Sequence, residues 1–269
     1  MKHNKIGVFD SGVGGLTVLK ELPAAVPGID MVYFGDTARL PYGTKSSKTV
    51  IYYTLRCAGF LVSKGIDMLI VACNTASAHA IPALKAEFDI PIIGVIESGS
   101  RAAIAAGGSK IGVIGTSSTI KSKVYERTIH AIDPDIEVIA KACPLFVPMV
   151  EEGLFDDEIT EMIAGRYLSE LVAYGIDTLL LGCTHYPLLR GVISKIMGKD
   201  VKIVDSAGAT ASMVADMIAP SLVKGSKSDV NRSGDMIFYL TDLTQGFIDT
   251  GRLFLGQEMK HIYEVDLEI

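Results

Sequence analysis

Two short hydrophobic runs stand out along the chain, because each ends in a cysteine followed by small polar residues. The first runs from Gly65 to Thr75 and reads GIDMLIVACNT, and the second runs from Gly175 to His185 and reads GIDTLLLGCTH. Matching positions in the two runs are 110 residues apart. A nearly continuous apolar run of this length is typical of a strand buried on both faces of a parallel sheet. Each cysteine is therefore predicted at the carboxyl end of a strand, where α/β proteins place their chemistry.

Alternating strands and helices are predicted on either side of these runs. Short apolar stretches indicate strands at 6–9, 31–34, 92–96, 110–116, 136–139 and 201–204. One helical pattern begins at Leu16 and is expected to end at Pro23, and another begins after the first cysteine, at Thr75 or Ser77. This alternation predicts parallel sheets with helices on both faces.

The second half of the chain repeats the plan of the first half. Besides the cysteine runs, the stretch 110–116 matches 5–11, and two further predicted strands match in the same order. Several matches in one order indicate a duplication. We therefore predict an α/β fold of two pseudo-symmetric parallel-sheet lobes, with the active site in the cleft between them.

The segment after Asp205 has no counterpart in the duplication. Its pattern predicts a helix that ends at about 218 and a polar loop at 224–235. A strand at 236–240, a helix at 243–255 and a last strand at 261–265 are predicted after the loop. We expect this segment to return to one of the lobes. The predicted lobes are residues 1–96 plus 207–269, and residues 97–206.

Composition narrows the functional classes. The chain has 269 residues, 49% of them hydrophobic, which is enough for two modest α/β domains. The net charge is -6 without a cluster of lysine and arginine, so no nucleic-acid partner is expected. No apolar run approaches the roughly 20 residues that span a bilayer, and the N-terminus does not read as a signal peptide. We expect a cytoplasmic protein that does not enter the membrane.

The four cysteines divide into two pairs. None of Cys57, Cys73, Cys143 and Cys183 forms a C-x-x-C motif, so we expect reduced thiols and no structural zinc site. A buried cysteine is usually a core residue, and we keep this interpretation for Cys57 and Cys143. Cys73 and Cys183 differ because they end strands at matched positions and precede polar groups. A helix N-terminus just after each thiol would favour the reactive thiolate.

Two opposed thiols suggest two kinds of chemistry. They can form a redox disulfide, or they can act as base and acid on opposite faces of one carbon. In the second case one thiolate removes a proton and the other thiol returns one, so the configuration of the carbon inverts. A thiol suits either role, because its ordinary pKa of about 8.5 lies near neutrality.

Several residues near the two thiols are candidates for supporting roles. His185 lies two residues after Cys183 and can tune that thiol. Asp10 ends the first strand, and it can face the cleft or cap the helix at Leu16. Glu151 and Glu152 form either a solvated turn or part of the site.

A glycine-rich turn follows the first strand. The stretch 12–15 reads GVGG and resembles the start of a dinucleotide fingerprint, but Thr17 stands where the third glycine would fall. Nucleotide binding is therefore disfavoured. The backbone N–H groups of a glycine-rich turn at a helix N-terminus could bind a carboxylate instead.

Four segments in order resemble the glutamate racemases, a family of the aspartate/glutamate racemase superfamily. They read FDSGVGGL, GDTARLPYG, ACNTA and GCTHYPL, at 9–16, 35–43, 72–76 and 182–188. The match runs from Ile6 to about Gly256. The resemblance implies a racemase that needs no cofactor or metal, uses two bases and makes D-glutamate for peptidoglycan. We also expect a homodimer.

The resemblance carries over to individual residues of this chain. Cys73 and Cys183 look like the two acid/base thiols, with Asp10, His185 and Glu151 as their helpers. The substrate contacts implied by the motifs are Asp10, Ser11, Tyr42, Gly43, Asn74, Thr75, Thr116, Thr119, Thr184 and His185.

Two departures from the family pattern carry expectations. Ser98 stands where the family often has proline, which is expected to loosen the connection between the lobes without affecting the chemistry. Only five residues precede Ile6, so we expect no activation by a cell-wall precursor, a property linked to an N-terminal extension in some relatives.

Three other functions stay open from the sequence. A racemase for aspartate or another amino acid differs in substrate preference. A small-molecule binding protein with inert thiols would take up glutamate without exchanging its α-proton. A redox-switch protein would form a disulfide between Cys73 and Cys183.

Overall fold

The computed structural model of the chain describes residues 5–222 and 234–267, and the predicted loop at 224–235 lies almost entirely outside them. Within these ranges, none of the helices combines the length and apolar character that crossing a membrane requires. The strands form two separate sheets, and every pair of neighbouring strands is parallel. This is the predicted two-lobed α/β fold.

The first sheet has six strands in the order β10-β9-β2-β1-β3-β4. These strands are β1 Lys5–Asp10, β2 Asp30–Gly35, β3 Met68–Val71, β4 Ile92–Gly94, β9 Met236–Leu240 and β10 Ile262–Glu264. The helices connected to this sheet are α1 Leu16–Ala25, α2 Ser47–Ser63, α3 Asn74–Glu87 and α11 Gln245–Leu255. Two short 3-10 helices, Thr37–Arg39 and Tyr42–Thr44, shape the loop after β2.

The second sheet has four strands in the order β6-β5-β7-β8. These strands are β5 Lys110–Gly115, β6 Glu137–Ala142, β7 Thr178–Gly182 and β8 Lys202–Asp205. Its helices are α5 Ser117–Lys121, α6 Val124–Ile132, α7 Phe146–Glu151, α8 Glu158–Tyr174 and α9 Arg190–Met197, with a 3-10 helix at Tyr186–Leu189. The order matches β2-β1-β3-β4 of the first sheet, as a duplication requires.

The two sheets share fine detail as well as strand order. Gly7 pairs with Leu69 in the first sheet, and Gly112 pairs with Leu179 at the matching place in the second. Each glycine leaves space for the isoleucine side chain of the turn before the cysteine strand. A Cβ on Gly7 would lie 2.6 Å from Ile66 Cδ1, and a Cβ on Gly112 would lie 2.4 Å from Ile176 Cδ1. Buried apolar clusters cover both faces of each sheet, which explains the continuous apolar runs in the sequence.

Two helices cross between the lobes. α4, Val95–Ala105, leads from the first sheet to the second, and α10, Ala207–Leu222, leads back. Ser98 of α4 is buried, and its Oγ lies 2.6 Å from Thr210 Oγ1 of α10. The Ser98 hydroxyl thus joins the two crossing helices, and the expectation that serine loosens the connection relative to proline stays a prediction. The C-terminal strands β9 and β10 extend the first sheet; the domain boundaries given above stay a prediction.

Three predicted boundaries are wrong. α1 continues through Pro23 to Ala25, because a proline in the last turn removes only one hydrogen bond of the helix. The strand predicted at 92–96 ends at Gly94, and Val95 opens α4. A short apolar run does not distinguish a buried strand from the start of a buried helix. α3 begins at Asn74, one residue after the cysteine.

Candidate active site

The two cysteines lie at equivalent places in the two lobes. Cys73 lies two residues after the end of β3 and is the N-terminal cap residue of α3, and Cys183 follows β7 directly. Their exposed fractions are 6% and 7%. Parallel strands bring their carboxyl ends to one edge of a sheet, so both thiols stand at the edges where the polar loops gather.

The surroundings of Cys73 are neutral or acidic. Its thiol donates to Ser11 Oγ at 3.5 Å. Burial, with smaller contributions from the nearby Asp10 and Cys183, raises the pKa of Cys73 to about 12, although hydrogen bonds with the Ala76 amide and Ser11 act in the opposite direction. Cys73 is therefore held as the protonated thiol at neutral pH, and the expectation that a following helix makes it the thiolate is overturned by burial.

Asp10 is fully buried beside this thiol. Its Oδ2 accepts a hydrogen bond from the Gly12 amide at 2.9 Å, and burial is the main reason that its pKa is raised. Asp10 does not occupy the cap position of α1, which is Gly15, but its carboxyl group interacts with the Gly15 amide at the start of that helix, so the predicted capping role is compatible with its place at the cleft. The carboxyl group folds back onto the glycine-rich turn.

The surroundings of Cys183 contain a histidine and a carboxylate. His185 Nε2 lies 3.2 Å from Glu151 Oε1. Burial lowers the pKa of His185, but the neighbouring Cys183 and Glu151 outweigh it and raise the pKa to about 10. His185 is therefore an imidazolium at neutral pH. Glu151 ends α7, whereas Glu152 is exposed beyond it, so the structure brings Glu151 rather than Glu152 to the histidine.

The chain after Cys183 does not repeat the helix that follows Cys73. A 3-10 helix at Tyr186–Leu189 precedes α9, so the predicted helix N-terminus just after the second thiol is absent there. The Tyr186 hydroxyl donates to the Cys143 carbonyl at 2.8 Å, and this bond holds the segment against the second lobe. Cys143 itself is fully buried in the core, in agreement with its predicted structural role.

Three threonine hydroxyls form a closed ring between the lobes. Thr75 Oγ1 lies 2.9 Å from Thr116 Oγ1 and 3.1 Å from Thr119 Oγ1, and the last two lie 3.0 Å apart. Thr75 belongs to α3 of the first lobe, and the others begin α5 of the second. These hydroxyls provide a buried, uncharged polar surface, and each has one proton, so a hydroxyl that turns toward a carboxylate donates to it in place of one bond of the ring.

The loop after β2 also reaches the second lobe. The Tyr42 hydroxyl donates to Asp36 Oδ2 at 2.6 Å, and Arg39 binds the other carboxylate oxygen at 2.7 Å. Gly43 must lack a side chain, because a Cβ there would lie 2.6 Å from Thr116 Cβ. The predicted contacts at Tyr42 and Gly43 thus depend on Asp36, which the sequence analysis did not select.

The glycine-rich turn approaches the second cysteine segment equally closely. A Cβ on Gly14 would lie 2.1 Å from Thr184 Oγ1 and 2.6 Å from His185 Nδ1. Thr184 Oγ1 is also 3.5 Å from that nitrogen. Glycine at this position therefore allows the first lobe to pack directly on the Thr184-His185 pair.

Asn74 joins the lobes through a tyrosine that sequence reasoning missed. Its Nδ2 donates to the Tyr125 hydroxyl of α6 at 2.7 Å, and both residues are buried. No motif or periodicity marks Tyr125, since a tyrosine on an amphipathic helix reads as an ordinary core residue. Only the three-dimensional structure brings it to the site.

Two acceptor atoms at the site lack partners. Asp10 Oδ1 and Asn74 Oδ1 are buried and make no hydrogen bond to any residue within the described ranges. Buried acceptors without donors are rare in proteins and often mark functional positions. A ligand that donates hydrogen bonds would satisfy them.

The arrangement of two parallel-sheet lobes is that of a racemase family. The family model described as Asp/Glu/Hydantoin racemase matches residues 6–214. The chain therefore belongs to the Asp/Glu/Hydantoin racemase family and is an amino-acid racemase, an isomerase.

Within that family the chain groups with the glutamate racemases. A glutamate racemase of Geobacter metallireducens is 50% identical over 269 residues, which are 100% of this chain and 98% of that protein. The crystal structure of the Francisella tularensis glutamate racemase in complex with D-glutamate has a TM-score of 0.92 and 38% identity, covering 100% of this chain and 99% of that one. The structure of the Aquifex pyrophilus glutamate racemase has a TM-score of 0.80 and 46% identity, covering 96% of this chain and 98% of that one.

Proposed function

We propose that the protein interconverts L-glutamate and D-glutamate by a two-base mechanism, with Cys73 and Cys183 as the acid and base. The main support for this proposal is that the two thiols lie at equivalent positions, just beyond matching strands of the two lobes. The substrate follows from the relatives, which are glutamate racemases and include one solved with D-glutamate. The product D-glutamate would supply peptidoglycan synthesis.

The proton transfer balances without an added reagent. A thiolate on one side removes the α-proton of the substrate, and the electron pair stays on the α-carbon and its carboxylate. The thiol on the other side then gives its proton to the opposite face. The substrate leaves with inverted configuration, and the ionised thiol has changed sides.

The surroundings of the thiols set the starting state. Cys73 begins as the thiol, because burial and the neighbouring Asp10 disfavour its charge. His185, which is held by Glu151, lies beside Cys183 and not beside Cys73. The resting site therefore offers an acid at Cys73 and a histidine next to the other thiol.

The polar groups of the site suit an amino acid with two carboxylates. The unpaired acceptors Asp10 Oδ1 and Asn74 Oδ1 match the donors of an α-ammonium group. The threonine ring and the amides of the glycine-rich turn offer donors for carboxylates. Recognition of the substrate is thereby divided between the two lobes.

Proton exchange in deuterated water tests the proposal most directly. The purified protein is incubated with L-glutamate and, separately, with D-glutamate, with a chelator present and no cofactor added. NMR follows loss of the α-proton signal, and a chiral assay follows inversion. We expect exchange with inversion in both directions.

The other outcomes separate the alternatives. Exchange with aspartate alone would keep the mechanism and change the substrate. Binding of glutamate without exchange would overturn the enzyme assignment in favour of a binding protein. A disulfide between Cys73 and Cys183 under mild oxidant, without turnover, would favour a redox switch.

A further inference from the structure

Tyr125 is the buried side chain that contacts the neighbours of both cysteines. Its hydroxyl accepts the Nδ2 proton of Asn74, the residue after Cys73. Its ring packs on Gly182, the residue before Cys183: a Cβ on Gly182 would lie 2.9 Å from Tyr125 Cε2 and 3.5 Å from Cζ. One side chain thus touches the two cysteine segments from opposite ends.

The hydroxyl of Tyr125 fixes the amide of Asn74. With Nδ2 engaged, Asn74 Oδ1 is the amide atom left without a partner among the described residues. Burial raises the pKa of Tyr125, so its hydroxyl stays protonated and neutral at any working pH. The bond therefore does not depend on the charge state of the site.

The ring of Tyr125 lies between the two cysteine segments and keeps them apart. Gly182 has no side chain, so the ring rests on the backbone that delivers Cys183. Tyr125 is 2% exposed and lies in α6, which belongs to the second lobe, whereas Asn74 opens α3 of the first. A smaller side chain would leave the gap between the cysteine segments without a spacer.

From these contacts we infer that Tyr125 is a positioning residue for racemisation, which orients Asn74 through its hydroxyl and holds the two cysteine segments at their working separation through its ring. The inference rests on the two-thiol function proposed above. It assigns the two halves of one side chain to two separable tasks, and two substitutions distinguish them.

Tyr125→Phe removes the hydroxyl and keeps the ring. The loss of one neutral hydrogen bond corresponds to about a fivefold effect, so we expect KM for glutamate to rise about fivefold with kcat changed less than about twofold. In an Asn74→Ala background the same substitution should have no further effect on KM, because the group that it acts through is gone.

Tyr125→Leu removes the spacer as well. Proton removal needs one thiol, whereas inversion needs both, so we expect kcat to fall and the ratio of α-proton exchange to inversion to rise several-fold above that of the unaltered enzyme. Tyr167→Phe is the control, since it removes the hydroxyl of another tyrosine of the second lobe, which accepts a hydrogen bond from the Leu145 amide. It should leave the exchange-to-inversion ratio unchanged.

Two results would overturn the inference. One is an equal fall of exchange and inversion in Tyr125→Leu, which is what a purely structural residue would give. The other is a KM effect of Tyr125→Phe that persists undiminished in the Asn74→Ala background. If Cys73→Ala or Cys183→Ala kept full racemisation, the two-thiol function itself would fail, whatever Tyr125 does.

Discussion

The two cysteine segments have nearly the same backbone and very different surroundings. Each begins at a glycine with positive φ, +75° at Gly65 and +73° at Gly175, and continues as a buried strand into a cysteine. After the cysteines the likeness ends. Cys73 opens a 14-residue α-helix, whereas a 3-10 helix follows the second segment.

The difference in polar partners matters most. Cys73 faces a serine hydroxyl and the buried carboxyl of Asp10, whereas the second thiol faces the imidazolium of His185, which is held by Glu151. Duplication supplied two equivalent strand ends, and the side chains that surround them differ in charge and hydrogen bonding. A site for mirror-image substrates can therefore be asymmetric in its polar groups.

The largest expected effect comes from removing either thiol. Cys73→Ala and Cys183→Ala should each abolish racemisation, because each variant lacks the acid or base for one face; acid–base groups of this kind contribute about 10²–10⁴-fold. A chiral assay in both directions measures the loss. Cys143→Ala is the control, since it removes a buried thiol outside the site. Substantial activity in either site variant would contradict the two-thiol mechanism.

The protonated state of Cys73 predicts slow alkylation. The thiolate is the form that reacts with iodoacetamide, so the rate reports ionisation of the thiol. With its pKa near 12, Cys73 is almost wholly protonated at neutral pH. We expect Cys73 to react slowly at neutral pH and about tenfold faster for each unit by which the pH is raised below that pKa, as mapped by mass spectrometry.

The controls for this measurement are internal. Cys57 and Cys143 are fully buried and should stay unmodified while the protein is folded. Glutamate should slow the alkylation of Cys73 further. Fast alkylation of Cys73 at neutral pH, with a rate that does not rise with pH, would refute its protonated resting state.

The histidine–carboxylate pair predicts a smaller effect on catalysis. Glu151→Gln removes the charge that helps to keep His185 protonated, so turnover should fall about tenfold, an effect near 1.4 kcal/mol. The alkaline limb of the pH–rate profile should move to lower pH. Glu152→Gln is the matched control, because Glu152 is the next residue but is exposed. If the two variants behave alike, Glu151 has no special role.

The last prediction concerns stability against pH and not catalysis. The pKa of His185 rises from 6.5 to about 10 on folding, so its contribution to the free energy of unfolding is fully present below pH 6.5 and is lost as the pH rises through about 10. Denaturant unfolding at several pH values measures this loss. His185→Gln should remove that part of the pH dependence, and an unchanged slope in the variant would show that the imidazolium does not stabilise the fold.

Much of the fold was predictable because buried strands and helices have characteristic patterns of hydrophobic residues in the sequence. The apolar runs gave the strands, and the repeated pattern gave two lobes with equivalent strand orders. Element ends were less predictable: α1 passes through Pro23, and Val95 opens a helix rather than continuing a strand. Pro23 lies in the last turn of α1, where the helix loses only one hydrogen bond. Val95 is apolar and would be buried in a strand or in a helix, so its hydrophobicity does not distinguish the two.

The candidate site was predictable where residues follow a strand end. Cys73, Asn74 and Thr75 occupy such positions, and so do Cys183 and its two polar successors. Glu151 was less certain, since the chain offers two adjacent glutamates and only the structure places one of them beside His185. Tyr125 and Asp36 were invisible, because a buried tyrosine or a loop aspartate has no distinctive spacing.

The sequence by itself determined the two lobes, the matched thiols and the glycine-rich turn, because each depends on a local pattern of burial or backbone freedom. Only the tertiary structure decided which thiol is the acid, how Asn74 is held and how the two cysteine segments are spaced. These properties depend on the distances and burial of groups far apart in the chain, such as Asn74 and Tyr125 across the cleft. Electrostatic effects vary with both quantities, and neither can be read from residue order.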